Sequence, residues 1–372
     1  MQTKYKCEND SPFVAKGRAL QNSYRQKRYE EAMDEEEKKR WMCGPGPHAT
    51  SEIYYGNILL NGEVTGNNFL SVETFEYAKD RVAHIRKYET IQVYRLFCNM
   101  LSSQPMAFNL FHPMMRMLER VETKRILEKV LRRAFPKLDI AEVYSVDLEY
   151  IPEEYEKYLG DKTVMDAVIR FVDSEGYRNF IAVETKYTDD LGTNESRQSA
   201  MRNRAKKLAE EYGVFAVLPN TFSQLYRNFL LTESVCRVGD AWGPYKEAYT
   251  WILAPAAHPH TIGETEALRI HLKPEYRYKV DYLVGMTLEA FTNFLVHAEG
   301  MPQEYRALFS EFQKRYLDGW SDENDAFQWA VRPHENVTLP SGVMRKLKLR
   351  KAAADDSVLE DYLSEQSFGT EV

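Results

Sequence analysis

Cysteine is scarce in this chain of 372 residues. Its four, Cys7, Cys43, Cys98 and Cys236, are scattered with no C-x-x-C spacing, so neither a disulfide framework nor a zinc knuckle is indicated and a reducing, cytoplasmic setting is expected. Long apolar runs are missing as well. None approaches the roughly 18 residues that a membrane helix needs, and Met1 to Phe13 holds no apolar stretch like that of a signal peptide, so a spanning or exported protein is not expected. No internal repeat or low-complexity tract is visible, which argues against a solenoid. Positive charge does not dominate: 49 Lys and Arg stand against 56 Asp and Glu, a net charge of −7. That argues against a protein coating nucleic acid over its whole surface and leaves room for a local basic face. What is present, 44% hydrophobic and 13% aromatic residues, suffices for a folded core and excludes a disordered chain. One large domain or two smaller ones both fit this length.

Residues 1–50 are polar and carry Glu30, Glu31 and Asp34 to Glu37 followed by Lys38, Lys39 and Arg40, which reads as a solvated helical extension. The run Cys43 to Pro47, CGPGP, should break it, since proline removes a donor and resists helical continuation. A border is expected near residue 50, a main domain over 51–330 and a charged tail over 331–372. In that tail MRKLKLRK carries five basic residues in eight, and Ala352 to Val372 carries six acidic residues and no basic one. From Phe75 to Phe135 apolar residues recur at three- and four-residue steps, a helical layer that includes the basic segment Arg116 to Lys137. Strands are expected at Ala141 to Tyr150, Val164 to Asp173, Tyr177 to Tyr187 and Ala248 to Pro255. Helices are expected at Ser196 to Tyr212, Thr221 to Ser234, Val280 to His297 and Gln303 to Leu317. The order implies a mixed α/β fold: one central mixed sheet, its core at about residues 141–256, flanked by helices with helical additions at both ends of the chain.

The run VMDAVIRFVDSEGYRNFIAVETKY, Val164 to Tyr187, reads as two strands joined by Ser174, Glu175 and Gly176. A three-residue hairpin loop favours a left-handed residue at its third place, and glycine adopts that conformation without steric cost. Counting outward from Glu175 then sets Asp166 across from Glu184. The two-residue period puts Asp166, Glu184 and Lys186 on one face, with Met165, Ala167, Ile169, Phe171, Ile181 and Val183 on the other. The apolar face should be core and the charged face exposed. Two facing carboxylates repel by up to about 1 kcal/mol unless a cation lies between them, and their hard oxygens suit Mg²⁺ or Mn²⁺. Lys186 would then orient or help deprotonate an attacking water. The plainer alternative is an exposed hairpin with a surface ion pair.

Asp166 followed by Glu184-Thr185-Lys186 resembles the PD-(D/E)XK signature of the restriction-endonuclease-like nucleases. Their core order of helix, three strands, helix and strand is the order read above. The segments SSQPMAFNLFHP (Ser102 to Pro113), ETKYTDDL (Glu184 to Leu191) and QLYRNFLL (Gln224 to Leu231) resemble a bacterial family of that kind over about residues 95–300. The one departure is Met165, where the signature has proline. The resemblance implies Mg²⁺- or Mn²⁺-dependent cleavage of DNA phosphodiester bonds, in restriction or defence against foreign DNA. Asp166 and Glu184 would hold the metal, the Thr185 carbonyl would add a ligand, and Lys186 would be the catalytic lysine.

Further residues attach to this expectation. Glu119 and Glu149 are candidates for an additional acid. Gln224, where such nucleases use a glutamine, would contact the attacking water or a phosphate. Arg227, on the same helix face, would reach a phosphate. Arg197, Arg202, Arg204, Lys206 and Lys207, in the acid-free stretch Ser196 to Leu208, would form with Arg116 to Lys137 a positive groove for DNA. His258 and His260 lack the partners of a zinc site and are assigned to a loop. Asn109 is expected to tie down buried backbone. A homodimer would suit the cutting of two strands, because one site serves one strand. The competing readings are a nucleic-acid-binding module that keeps the fold without cleavage and a helical partner-binding protein; neither needs opposed carboxylates beside a lysine.

Overall fold

The structure, a computed structural model, describes residues 2–4, 10–45, 53–86, 89–189, 199–220 and 222–320. The chain opens with β1 (Gln2–Lys4), α1 (Pro12–Glu31), α2 (Glu35–Arg40), β2 (Cys43–Pro45) and β3 (Ile53–Leu59). Ser11 caps α1 by accepting from the Val14 amide at 3.3 Å, and Pro12 follows it at the first helical place, where no donor is lost. The CGPGP run does more than break the chain. Cys43–Pro45 pairs antiparallel with β3, and β1 pairs with β3 on its other side, giving a small sheet of order β1-β3-β2. Short edge strands tolerate proline, whose missing amide faces away from the ladder. The border expected near residue 50 lies in residues 46–52, outside the described residues, as does the charged tail.

A helical layer follows: α3 (Gly62–Thr65), α4 (Val72–Ala83), α5 (Val93–Cys98), α6 (Ser103–Met117) and α7 (Val121–Ala134). The central sheet is built from β4 (Glu142–Tyr150), β5 (Met165–Val172), β6 (Arg178–Thr185) and, after α8 (Ser199–Tyr212) and α9 (Gln224–Val238), β7 (Glu247–Leu253). Its order is β4-β5-β6-β7, antiparallel except for the parallel pair β6/β7. Helices α10 (Thr261–His271), α11 (Tyr278–Asp281), α12 (Leu288–Val296) and α13 (Gln303–Tyr316) close the described chain. The mixed α/β class and the single central sheet are as the sequence implied. The helix expected over Val280 to His297 is divided between α11 and α12 by a turn at Gly285, φ +89°.

Both faces of the sheet are covered. Ala167, Ile169, Phe171, Ile181, Val183 and Trp251 pack with Phe108 and Phe111 of α6, Leu127 and Leu131 of α7 and Phe291 of α12. On the other face Val168, Phe180 and Ala182 pack with Leu208 of α8, Leu225 and Phe229 of α9 and Leu268 of α10. The charged face of the hairpin is therefore not a solvent face, because the β6-to-β7 crossover lays two helices over it. Met165, grouped by counting with Ala167, instead joins Val168 and Phe180, at the ladder end where the neighbouring strand turns at Glu149, φ +50°. Helix α1 joins the first layer: Phe13 stacks on Trp320 at 4.5 Å, and the Gln21 amide donates to the Tyr187 hydroxyl and to the Arg315 carbonyl, each at 2.8 Å. Asn109 accepts from the Leu70 amide at 2.8 Å and donates to the Asn68 carbonyl at 2.9 Å, the backbone tether expected of it. Among the described residues no helix is long and apolar enough to cross a membrane, and Cys43, Cys98 and Cys236 are free thiols.

Candidate active site

The hairpin at residues 173–177 sets the register. Gly176 is left-handed, φ +88°, its amide donates to the Asp173 carbonyl at 3.0 Å, and Asp173 Oδ1 accepts from the Glu175 and Tyr177 amides at 3.1 and 2.8 Å. The ladder then runs from Val172 opposite Arg178 to Ala167 opposite Val183. One step further it sets Asp166 against Glu184. On the other side of β5, Leu148 pairs with Ala167 and Tyr150 with Met165, so the residue between, Glu149, falls beside Asp166. Three carboxylates from three adjacent strands thus line the same cleft at one end of the sheet. The left-handed backbone of Glu149 is uncommon outside glycine, and such conformations persist where surrounding structure holds them.

Asp166, Glu184, Lys186 and Glu149 all line one cleft of about 490 Å³, together with Gln104, Asp189, Gln224, Arg227 and Asn228. Glu184 is 1% exposed, Lys186 5% and Glu149 6%. Lys186 Nζ lies 2.7 Å from Glu184 Oε1 and donates to Gln224 Oε1 at 3.1 Å. Gln224, the first residue of α9, donates from Nε2 to Glu184 Oε1 at 2.7 Å, which closes a ring of three side chains. One turn later Asn228 Nδ2 donates to Glu184 Oε2. Thr185, expected to act through its carbonyl, also holds Asp166: its amide and hydroxyl both donate to Asp166 Oδ2, at 2.7 and 2.8 Å.

Burial and mutual repulsion shape the charges. Burial, and then the charge of Asp166, push Glu184 up to about 7. The same two causes, with Glu184 added, push Glu149 up to about 8 against a hydrogen bond from Gln104. Burial also raises Asp166, although Lys186 and the Thr185 hydrogen bonds oppose it. Burial alone would lower Lys186, but the charges of Glu184 and Asp166 outweigh it and hold the ammonium above the usual lysine range. Three carboxylates facing one lysine leave negative charge uncompensated in a buried place, which is costly unless protons or a cation neutralise it.

The donor set fits a hard divalent cation. Besides the carboxylates, two cleft-lining amide oxygens, Gln104 Oε1 and Asn228 Oδ1, are buried without a hydrogen-bond partner among the described residues, and neutral oxygens of this kind complete Mg²⁺ or Mn²⁺ coordination. Among the described residues no three His, Cys, Asp or Glu side chains are grouped so as to hold a metal. Asp166 and Glu184 would hold such a cation, and amide or backbone oxygens and water are ligands of the kind that would complete its shell.

The other expected residues divide. Glu149 lies in the cleft, whereas Glu119 does not; it is exposed on the α6–α7 turn, 4.0 Å from Arg116. Of the basic residues assigned to DNA, Arg227 lines the cleft, held by Asp161 and Thr163 at 3.2 Å each. Arg202, Lys206 and Lys207 are exposed on α8, Arg204 donates to the Tyr158 carbonyl, and none of the four lines the cleft. Arg197 lies outside the described residues. The segment Arg116 to Lys137 contributes nothing to the cleft lining either: Lys124 pairs with Glu142 and Arg132 donates to the Ile140 carbonyl. His258 lies in a loop, as expected, with Nε2 3.0 Å from the Asp189 carbonyl.

Several cleft residues went unread in the sequence: Arg95, Gln104, Lys162, Asp189 and Asn228. Asp189 accepts from Arg95 at 2.9 Å and from the Ser103 hydroxyl at 3.2 Å, joining α5 and the start of α6 to the segment after β6. Gln104, Asp189 and Asn228 sit inside the three segments on which the family resemblance rests, so that wording was their available signal. Neither curated proteins nor solved structures give a match to this chain. The sequence profile of one family does match, over residues 8–318, a span that includes every described residue of the cleft, and by it the chain belongs to the PD-(D/E)XK nuclease superfamily.

Proposed function

We propose that the chain is a metal-dependent endonuclease that hydrolyses phosphodiester bonds in DNA at the cleft of Asp166, Glu184 and Lys186. The observation that carries this reading is the convergence of two opposed carboxylates, Glu184 buried and Asp166 partly buried, and a lysine in one open cleft, with Glu149 beside them. A structural ion pair has no need of the surplus negative charge. Superfamily membership makes nuclease activity the expected class.

In this reading Asp166 and Glu184 hold the cation, fixed respectively by Thr185 and by Gln224 with Asn228. When bound, Mg²⁺ or Mn²⁺ supplies Lewis-acid stabilisation of the charge that develops on the phosphate and eases deprotonation of the attacking water. Lys186 orients that water and, as an ammonium, stabilises developing negative charge. Gln224 keeps the lysine and Glu184 in register, a positioning role. Arg95, Lys162 and Arg227 take the flanking phosphates, cations on the cleft wall of a chain whose overall charge is −7.

Incubation of the protein with supercoiled plasmid, linear DNA and RNA, with and without Mg²⁺ or Mn²⁺, tests this. Nicked or linear plasmid is expected only with metal. Intact DNA under every condition, with DNA still bound, would favour the non-cleaving module.

A further inference from the structure

We propose that Asn228 gives the cation between Asp166 and Glu184 a neutral oxygen ligand, its Oδ1, while its Nδ2 holds Glu184; this rests on the metal-dependent reading above. Asn228 lies one helical turn after Gln224 on α9, is 3% exposed and lines the cleft. Its Nδ2 donates to Glu184 Oε2. The ionised carboxylate, the form that binds a cation, only accepts, so beside it the amide turns its NH₂ toward Glu184 and its oxygen to the other side. That end, Oδ1, is buried and has no hydrogen-bond partner among the described residues.

A buried acceptor without a donor bears its full desolvation cost, and its described neighbours do not relieve it. Asp166 and Glu184 are acceptors when ionised, and Lys186 directs two of its three protons to Glu184 and Gln224 and none to this oxygen among the described residues. An arriving cation satisfies this oxygen together with the carboxylates. With no third acid grouped for coordination among the described residues, an amide oxygen is the chemistry the pair lacks. The side chain would thus act at both ends, as donor to one metal-binding carboxylate and as ligand itself.

Calorimetric titration of the full chain with Mn²⁺, without nucleic acid, tests this in wild type, Glu184→Ala, Asn228→Ala and Asn228→Asp, with melting curves to establish folding. Wild type is expected to bind and Glu184→Ala to lose binding. Asn228→Ala should weaken affinity by about 10-fold or more. Asn228→Asp separates the two roles, because it keeps an oxygen at the position and gives up the donor to Glu184; it is expected to bind close to wild type or tighter. Asn228→Ala binding as wild type, or Asn228→Asp binding as weakly as Asn228→Ala, overturns the ligand role and leaves the metal reading standing. Wild type that takes no Mn²⁺ overturns both. Should Asn228→Ala fail to fold, Asn228→Asp against wild type decides: retained binding supports the proposal and lost binding ends it.

Discussion

Lys186 is nearly buried and answers the charge of Glu184 directly, so its removal touches stability as well as chemistry. Counting along the strand set this lysine on an exposed face, where its loss would disturb no packing; the helices over that face change the expectation. Breaking a buried pair by removing one partner costs about 3–5 kcal/mol when the other stays charged. Glu184 can take up a proton instead, so the melting temperature of Lys186→Ala should fall below wild type by more at pH 8 than at pH 6. A difference constant over that range would mean that Glu184 is not the group left behind. Glu149 permits a second test. Its folded-state value of about 8 lies above the ordinary 4.5, so between those values the folded chain holds a proton that the unfolded chain has lost. Stability from this group is therefore fully present below about pH 4.5 and is lost as pH rises through about 8. In metal-free protein, Glu149→Gln should gain melting temperature relative to wild type as pH rises from 5 to 8.5, and a flat difference would contradict the burial of that carboxylate.

At the scale of elements, the hairpin does most to assemble the site. A Cβ on Gly176 would meet nothing within 4 Å, so Gly176→Ala should cost only the left-handed backbone penalty, about 1–2 kcal/mol, read from urea denaturation, with the register intact. A much larger loss would mean that the loop packs against something. This hairpin was legible in the sequence because a loop glycine and a period of two are local rules, and they sufficed to bring Asp166 opposite Glu184. Glu149 was legible only as a candidate, since its place beside Asp166 depends on the register of β4, which no turn sets. Asn228 had only the family wording as a signal, because nothing local says that α9 begins over the end of β6, and Arg95 was out of reach, because nothing local says that α5 approaches Asp189. The basic stretch on α8 lies off the cleft lining for a related reason. Net charge along a segment does not tell which turn of a helix faces a cleft, and the alternation that marks Ala205 and Leu208 as buried leaves Arg202, Lys206 and Lys207 outward. Helix α1 approaches the site segment closely as well: a Cβ on Gly17 would lie 2.6 Å from Thr188 Cγ2, and Gln21 bonds Tyr187, the neighbour of Lys186.

For the whole molecule the question is where a net-acidic protein meets a polyanion. Cations on the cleft wall, and not those on α8, should carry DNA affinity. Arg95→Ala is expected to flatten the log–log dependence of DNA binding on salt by about 0.9 for each phosphate left without its cation, whereas Lys206→Glu with Lys207→Glu should leave that slope as it is in a filter-binding or anisotropy titration. The reverse result would move the DNA path to α8. The central claim is that the cleft performs hydrolysis through Lys186, and the most direct measurement compares Lys186→Met with wild type in single-turnover cleavage of plasmid DNA at saturating Mn²⁺, with DNA affinity measured alongside. The account predicts a rate lower by about 10²–10⁴-fold and an affinity little changed, because the lysine works on the transition state. A variant that cuts at the wild-type rate would contradict it.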